Sequence, residues 1–149
     1  MNIRKSMPVD VCDYYDLLRN EDKEELKASA SMPPYLVLMD TIIKSENKFT
    51  LFHEGKFVGF IGCGSGGIMW GMSTDDFITN HRIAFTKISK IFIDSFISEY
   101  GMLQNYIYKE NTKHINWIKK MGFIVEDKTY IHPETNKEFL KFKMENSNV

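Results

Sequence analysis

The chain has 149 residues, 43% hydrophobic and 13% aromatic, which is enough apolar material for one compact core and too little for two. Its 19 Lys and Arg nearly balance 20 Asp and Glu, and a formal charge of -1 lacks the basic footprint that a phosphate backbone requires, so nucleic acid is not an expected partner. Two cysteines, Cys12 and Cys63, exclude a disulfide framework or a cysteine-based zinc site. The absence of any long apolar run excludes a membrane span or signal core, so a soluble, unprocessed protein made in the cytoplasm is expected.

In chain order, Asn2 to Lys5 reads as a short strand. Pro8 and Asp10 then open a helix whose Val11, Tyr14, Tyr15 and Leu18 share a face. Asn20 to Ala28 is charged and helix-forming with little apolar content, which predicts an exposed second helix. Pro33 and Pro34 suit a third helix entry, with Leu36, Met39 and Ile43 as its stripe and Tyr35, Leu38 and Ile42 beside it. From Lys48 the period shortens: Phe49 to His53, Phe57 to Cys63 and Ile68 to Met72 predict a three-stranded meander with turns at Glu54-Gly55 and Gly64 to Gly67. The longest helical pattern runs from about Thr79 to Tyr100, with Phe85, Ile88, Phe92 and Phe96 on one stripe, Ile91, Ile93 and Ile97 widening it, and Gly101 as its stop. Met102 to Tyr108 is a further strand. Beyond the last helix, Tyr130 to Lys137 reads as a turn region, and Leu140, Phe142 and Met144 alternate with lysines in a half-buried strand. Residues 1–144 are read as one domain, followed by a flexible tail over 145–149.

The segment Asn111 to Phe123 is the most specific. Asn111 is placed to cap a helix, Ile115, Ile118 and Met121 share a face, Lys119 and Lys120 suit its negative end, and Gly122 supplies a left-handed stop before a strand opens at Phe123. This pattern resembles the last helix of the GNAT (GCN5-related N-acetyltransferase) fold. The whole order then implies an α/β (α+β) domain in which about four helices flank a mostly antiparallel sheet of six to seven strands.

That resemblance implies a chemistry against which the residues can be weighed. In GNAT enzymes the loop into the long helix carries spaced glycines whose amides approach the pyrophosphate of acyl-CoA. Here the corresponding run, Ser73 to Ala84, has no glycine and begins with Asp75 and Asp76, which repel a diphosphate. The position of the Tyr that protonates the leaving thiolate in many relatives holds Ile118, which has no proton to donate. If acetyl-CoA is bound nevertheless, the positions implied for it are Trp70, Gly71, Met72, Asn80, His81, Arg82, Ile83 and Asn111, and the candidate catalytic groups are Tyr106, Tyr108 and His114. Gly62 to Gly67 satisfies G-x-G-x-x-G in form but leads into a strand, so a hairpin explains it better than a dinucleotide site. His53, His81, His114 and His132 share no ligand spacing, and no metal is implied.

A closer resemblance rests on Trp70, Thr74-Asp75, Asn105, Asn111, His114 and Gly122-Phe123 at their combined spacing. It is to the internal virion protein A family of short-tailed bacteriophages, GNAT relatives without the acyl-CoA loop that are implicated in assembling the particle's internal core. The resemblance implies phage structural or host proteins as partners, a place in the host cytoplasm in association with the virion, and no cofactor. The alternative is an active acetyl-CoA-dependent N-acetyltransferase that modifies a host or phage amine.

Overall fold

The computed structural model describes residues 1–146. Its strands are β1 (Asn2–Lys5), β2 (Asn47–His53), β3 (Lys56–Gly64), β4 (Ile68–Ser73), β5 (Met102–Tyr108), β6 (Ile124–Ile131) and β7 (Glu138–Glu145). They form one sheet in the order β1-β2-β3-β4-β5-β7-β6. Every neighbouring pair is antiparallel except β4 and β5, which run parallel and share one register pair, Ile68 with Gln104. The helices are α1 (Val9–Tyr14), α2 (Asn20–Ser29), α3 (Pro34–Lys44), α4 (Asp75–Asn80), α5 (Arg82–Tyr100) and α6 (Thr112–Lys120), with a 3-10 turn at Tyr15–Leu17.

Six helices therefore stand where about four were predicted. Part of the difference is the longest helical pattern, which breaks at His81 (φ -128°, ψ 44°). Thr74 caps the short α4 by accepting the Phe77 N–H at 3.3 Å, and Phe77 drives into the core at 1% exposure. Burial of that ring fixes the α4 direction independently of α5, although nothing between Asp75 and Arg82 is a helix breaker.

The two sheet faces follow from the alternation of side chains along β3 and β4, shifted by a bulge near the start of β3 where the register against Leu51 and Phe52 slips. Val58, Ile61, Cys63 and Met69 join Ile88, Phe92 and Phe96 of α5 and Ile115 and Ile118 of α6 on one face. Phe57, Phe60 and Trp70 meet Val11, Leu26, Leu38 and Ile42 on the other. The predicted stripe of α3 is corrected by one position: Leu38 and Ile42 are fully buried, whereas Leu36 and Ile43 are exposed. Ile91 of α5 is likewise exposed, while Leu140, Phe142 and Met144 pack together on the α5–α6 side as their alternation implied.

The glycine-rich turn between β3 and β4 is a hairpin, as expected. Gly67 (φ +73°) lies so close to β5 that an added Cβ would fall 1.8 Å from the Met102 carbonyl oxygen. A side chain there is incompatible with the β4–β5 junction. Gly101 (φ +76°) and Gly122 (φ +100°) take the left-handed conformation after α5 and α6. β6 extends through Tyr130 and Ile131, so the turn before β7 is shorter than predicted. Of the expected tail, Glu145 still pairs with Met102 and the Asn146 N–H donates to the Gly101 carbonyl, while residues 147–149 lie outside the described residues.

The amino-terminal third is anchored by Asp10, which is 1% exposed. Its carboxylate accepts from Arg4 at 2.6 and 2.8 Å, from the Met7 N–H at 2.9 Å and from the Thr50 hydroxyl at 2.8 Å. Burial opposes ionisation of Asp10, but these donors outweigh it and hold the carboxyl below its ordinary range.

Candidate functional site

Where β4 and β5 part company below Ile68 and Gln104, both strands expose backbone groups that no neighbouring strand can satisfy. The start of α2 provides the partners. The Ser73 N–H donates to Asp22 Oδ2 at 3.1 Å, the Ser73 carbonyl accepts from the Arg19 N–H at 3.0 Å, and the Tyr108 N–H donates to Glu25 Oε1 at 2.9 Å. At the top of the gap the Asn105 side chain donates to the Met69 carbonyl at 2.8 Å. Arg19 and Asp22, both nearly inaccessible, close an ion pair at 3.1 Å. This overturns the reading of Asn20 to Ala28 as an exposed helix: Asp22, Leu26 and Ala28 are buried, and one face of α2 plugs the divided sheet.

The gap holds a cavity of about 160 Å³ that reaches both sheet faces, since Val58 and Ile61 from one side and Phe60, Trp70 and Met72 from the other all line it. Its walls are mostly apolar. Polar groups reach them from α2 and the residue before it (Arg19, Asp22, Glu25), from α6 (Lys113, His114, Trp117), and from Ser73, Ser89, Asn105 and Tyr106. Glu25 is pushed up to about 7, first by burial and then by the Asp22 charge, against the Tyr108 N–H, Asn111 and Arg19, which favour its ionised form. Burial also lowers the His114 pKa, so the imidazole is biased to its neutral form.

Four buried polar atoms have no protein hydrogen-bond partner among the described residues: His114 Nδ1, Trp117 Nε1, and Asn111 Nδ2 and Oδ1, all on α6 or its first flanking residue. Each such atom costs about 1–3 kcal/mol when nothing satisfies it, and His114 and Trp117, which carry two of the four, line the cavity. Asn111 does not make the predicted cap. Its side chain accepts no bond from the first turn of α6 and lies buried beside Glu25, without a hydrogen bond of ordinary geometry.

The candidate positions separate into three places. Trp70, Gly71, Met72, Tyr106 and His114 line the cavity. Trp70 is held by its indole N–H, which donates to the Ser45 hydroxyl at 2.7 Å, and by Gly62, where a Cβ would fall 2.4 Å from the indole ring. Tyr106 sits half exposed against Tyr130. Tyr108 turns away: its hydroxyl donates to the Glu110 carboxylate, which with burial pushes it up to about 12, and its ring packs on Phe139. Asn80, His81, Arg82 and Ile83 line a separate open hollow with Lys87 at the start of α5. Arg19, Asp22 and Glu25 were missed, because charges at i, i+3 and i+6 on a segment without an apolar stripe look like a solvated face.

The run leading into α5 is not a bare loop. It is α4, with its first turn closed by Thr74 and carrying Asp75 and Asp76. Asn80 donates to Asp76 at 2.7 Å, and His81 Nε2 stands 3.6 Å from Asp76. The amides of Phe77, Ile78 and His81 are engaged within α4, whose first turn carries two carboxylates, while no side chain caps the start of α5.

Comparison with known proteins places this geometry in context. A family model described as Bacteriophage T7, probable scaffold protein Gp13, matches residues 49–130. Similar solved structures include smu.2055 from Streptococcus mutans UA159, with a TM-score of 0.68 and 17% identity over 97% of this chain and 99% of that one. The ribosomal-protein-alanine N-acetyltransferase from Brucella melitensis gives 0.65 and 12% over 98% and 100%. Ard1 from Thermoplasma volcanium gives 0.66 and 13% over 97% and 96%. Identities this low establish the fold alone, which is that of the GNAT acetyltransferases. No curated protein matches by sequence. Among the described residues, no helix is long and apolar enough to cross a membrane.

Proposed function

Because the chain belongs to the family of the bacteriophage T7 probable scaffold protein Gp13, we propose that it is a non-enzymatic, protein-binding scaffold that helps assemble the internal core of a phage particle in the host cytoplasm. The resemblance to internal virion protein A points the same way. The observation that carries the reading is α4: a capped, acidic helix fills the turn where a GNAT enzyme would cradle the diphosphate of acyl-CoA. The residues there do not fit that group. Fold alone supplies no acetyl transfer, and what remains is a rigid α/β frame with an apolar cleft.

The test is chemical cross-linking of the full chain in infected cells, followed by isolation of assembly intermediates. Cross-links to phage structural proteins within those intermediates are expected. Absence of the chain from every intermediate, together with acetylation of a host or phage amine that depends on it, would overturn the assignment.

One observation favours the second reading, an acetyl-CoA-dependent N-acetyltransferase. The cavity between β4 and β5 is intact, and Glu25, pushed up to about 7, would be poised to take a proton from an amine at neutral pH. In that reading Tyr106 and His114 share the cavity with Glu25, and Arg82 and Lys87 in the hollow at the start of α5 would face the phosphates.

A further inference from the structure

We propose that His53, Glu54 and His81 form a binding site for a divalent transition cation of the zinc class, clipping the β2–β3 turn to the α4–α5 break. One donor atom from each of the three residues lies within 4.8 Å of the other two. Two imidazoles and a carboxylate are the donor set that borderline cations such as Zn²⁺ prefer, whereas Mg²⁺ takes oxygen ligands. Tetrahedral coordination at roughly 2.0–2.2 Å brings donors to about 3.4 Å from one another, so modest side-chain rotations close the present spacing.

The backbone holds two of the three residues in unusual places. Glu54 and Gly55 form the tight β2–β3 turn, and Glu54 has φ 52°, a left-handed conformation that a long side chain seldom adopts. His81 occupies the non-helical break between α4 and α5. The two rings meet at 4.9 Å between centroids, and His53 rests at 5.6 Å from the buried Phe77 ring, which limits the directions in which they can point. Packing alone would account for two aromatic rings in contact. Each ring also has a carboxylate at hand: Glu54 stands 3.8 Å from His53 Nε2, and Asp76 stands 3.6 Å from His81 Nε2. Asn80 secures Asp76 at 2.7 Å and leaves its other oxygen available. With His81 bound through Nδ1, Asp76 at Nε2 is the carboxylate that supports a ligand histidine from its far nitrogen, and water fills the fourth position. The histidine side chains are 21% and 31% exposed, which leaves the donors open to an ion from solvent.

The experiment is calorimetric titration of the full chain, carrying Cys12→Ser to remove the exposed thiol, with Zn²⁺ and separately with Mg²⁺. Co²⁺ absorption would report the coordination geometry. Saturable one-to-one Zn²⁺ binding without Mg²⁺ binding is expected, weakened about 100-fold or more by the pair H53N/H81N and roughly 10-fold by Asp76→Asn. Should the paired variant fail to fold, imidazole nitrogen NMR of the otherwise unaltered chain gives the same answer: Zn²⁺ should shift His53 and His81 and leave His114 and His132 in place. No saturable Zn²⁺ binding, binding that survives H53N/H81N, or shifts confined to other histidines would overturn the site.

Discussion

Between pH 4.5 and 8, the variants Glu25→Gln and His114→Asn are expected to show stability profiles of opposite slope. Glu25 is raised in the folded chain from 4.5 to about 7, so between those values the folded state holds a proton that the unfolded state has released. Its contribution is therefore greatest below pH 4.5, falls as pH rises to about 7 and is flat above; the full span is on the order of 3 kcal/mol. His114 works the other way. Its folded pKa lies below 6.5, so the unfolded state binds the extra proton and stability climbs as pH rises towards 6.5. In the parent chain the two act in opposite directions. Glu25→Gln, which keeps an oxygen for the Tyr108 N–H, should leave the rising profile of His114, and His114→Asn should leave the falling profile of Glu25. Urea denaturation at fixed ionic strength measures both. Parallel slopes in the two variants would show that the cavity does not enclose these groups as described.

Asp22→Ala is expected to cost about 3–5 kcal/mol, because it strands the buried Arg19 guanidinium and removes the acceptor of the Ser73 N–H at the mouth of the divided sheet. Replacing both members of the pair, as in R19M/D22L, should recover part of that loss, since no charge is then left buried alone. Equilibrium unfolding of the three proteins tests this. A loss below about 1 kcal/mol for Asp22→Ala would mean that the pair is solvated, as an exposed one would be.

The parts of this fold written in local patterns were readable from the residues. The alternation in β3, β4 and β7, the left-handed stops at Gly101 and Gly122, and the hairpin at Gly66 and Gly67 each depend on neighbours a few positions away. The features that were not readable depend on distant partners. Arg19 before α2, and Asp22 and Glu25 on its inner face beside Leu26, carry the charges there, and only the parting of β4 from β5 gives them backbone groups to satisfy. The break at His81 comes from burial of Phe77, and in α3 the choice of Leu38 over Leu36 comes from where the sheet lies. Asn111 has the residue type of a cap, yet it is drawn into the protein beside Glu25. At the candidate site, Trp70, Gly71, Met72, Tyr106 and His114 line one cavity, whereas Tyr108 is diverted by Glu110. His53 and His81 meet only because the β2–β3 turn and the α4–α5 break lie side by side.

We propose that α4 has replaced the diphosphate seat of the acetyltransferase fold. The most direct test is thermal and calorimetric titration of the full chain with acetyl-CoA. No saturable heat and no change in unfolding are expected. Saturable binding that adds about 2.7 kcal/mol at a hundredfold excess over the dissociation constant, and that Arg82→Ala abolishes, would contradict this proposal and return the protein to the enzymes.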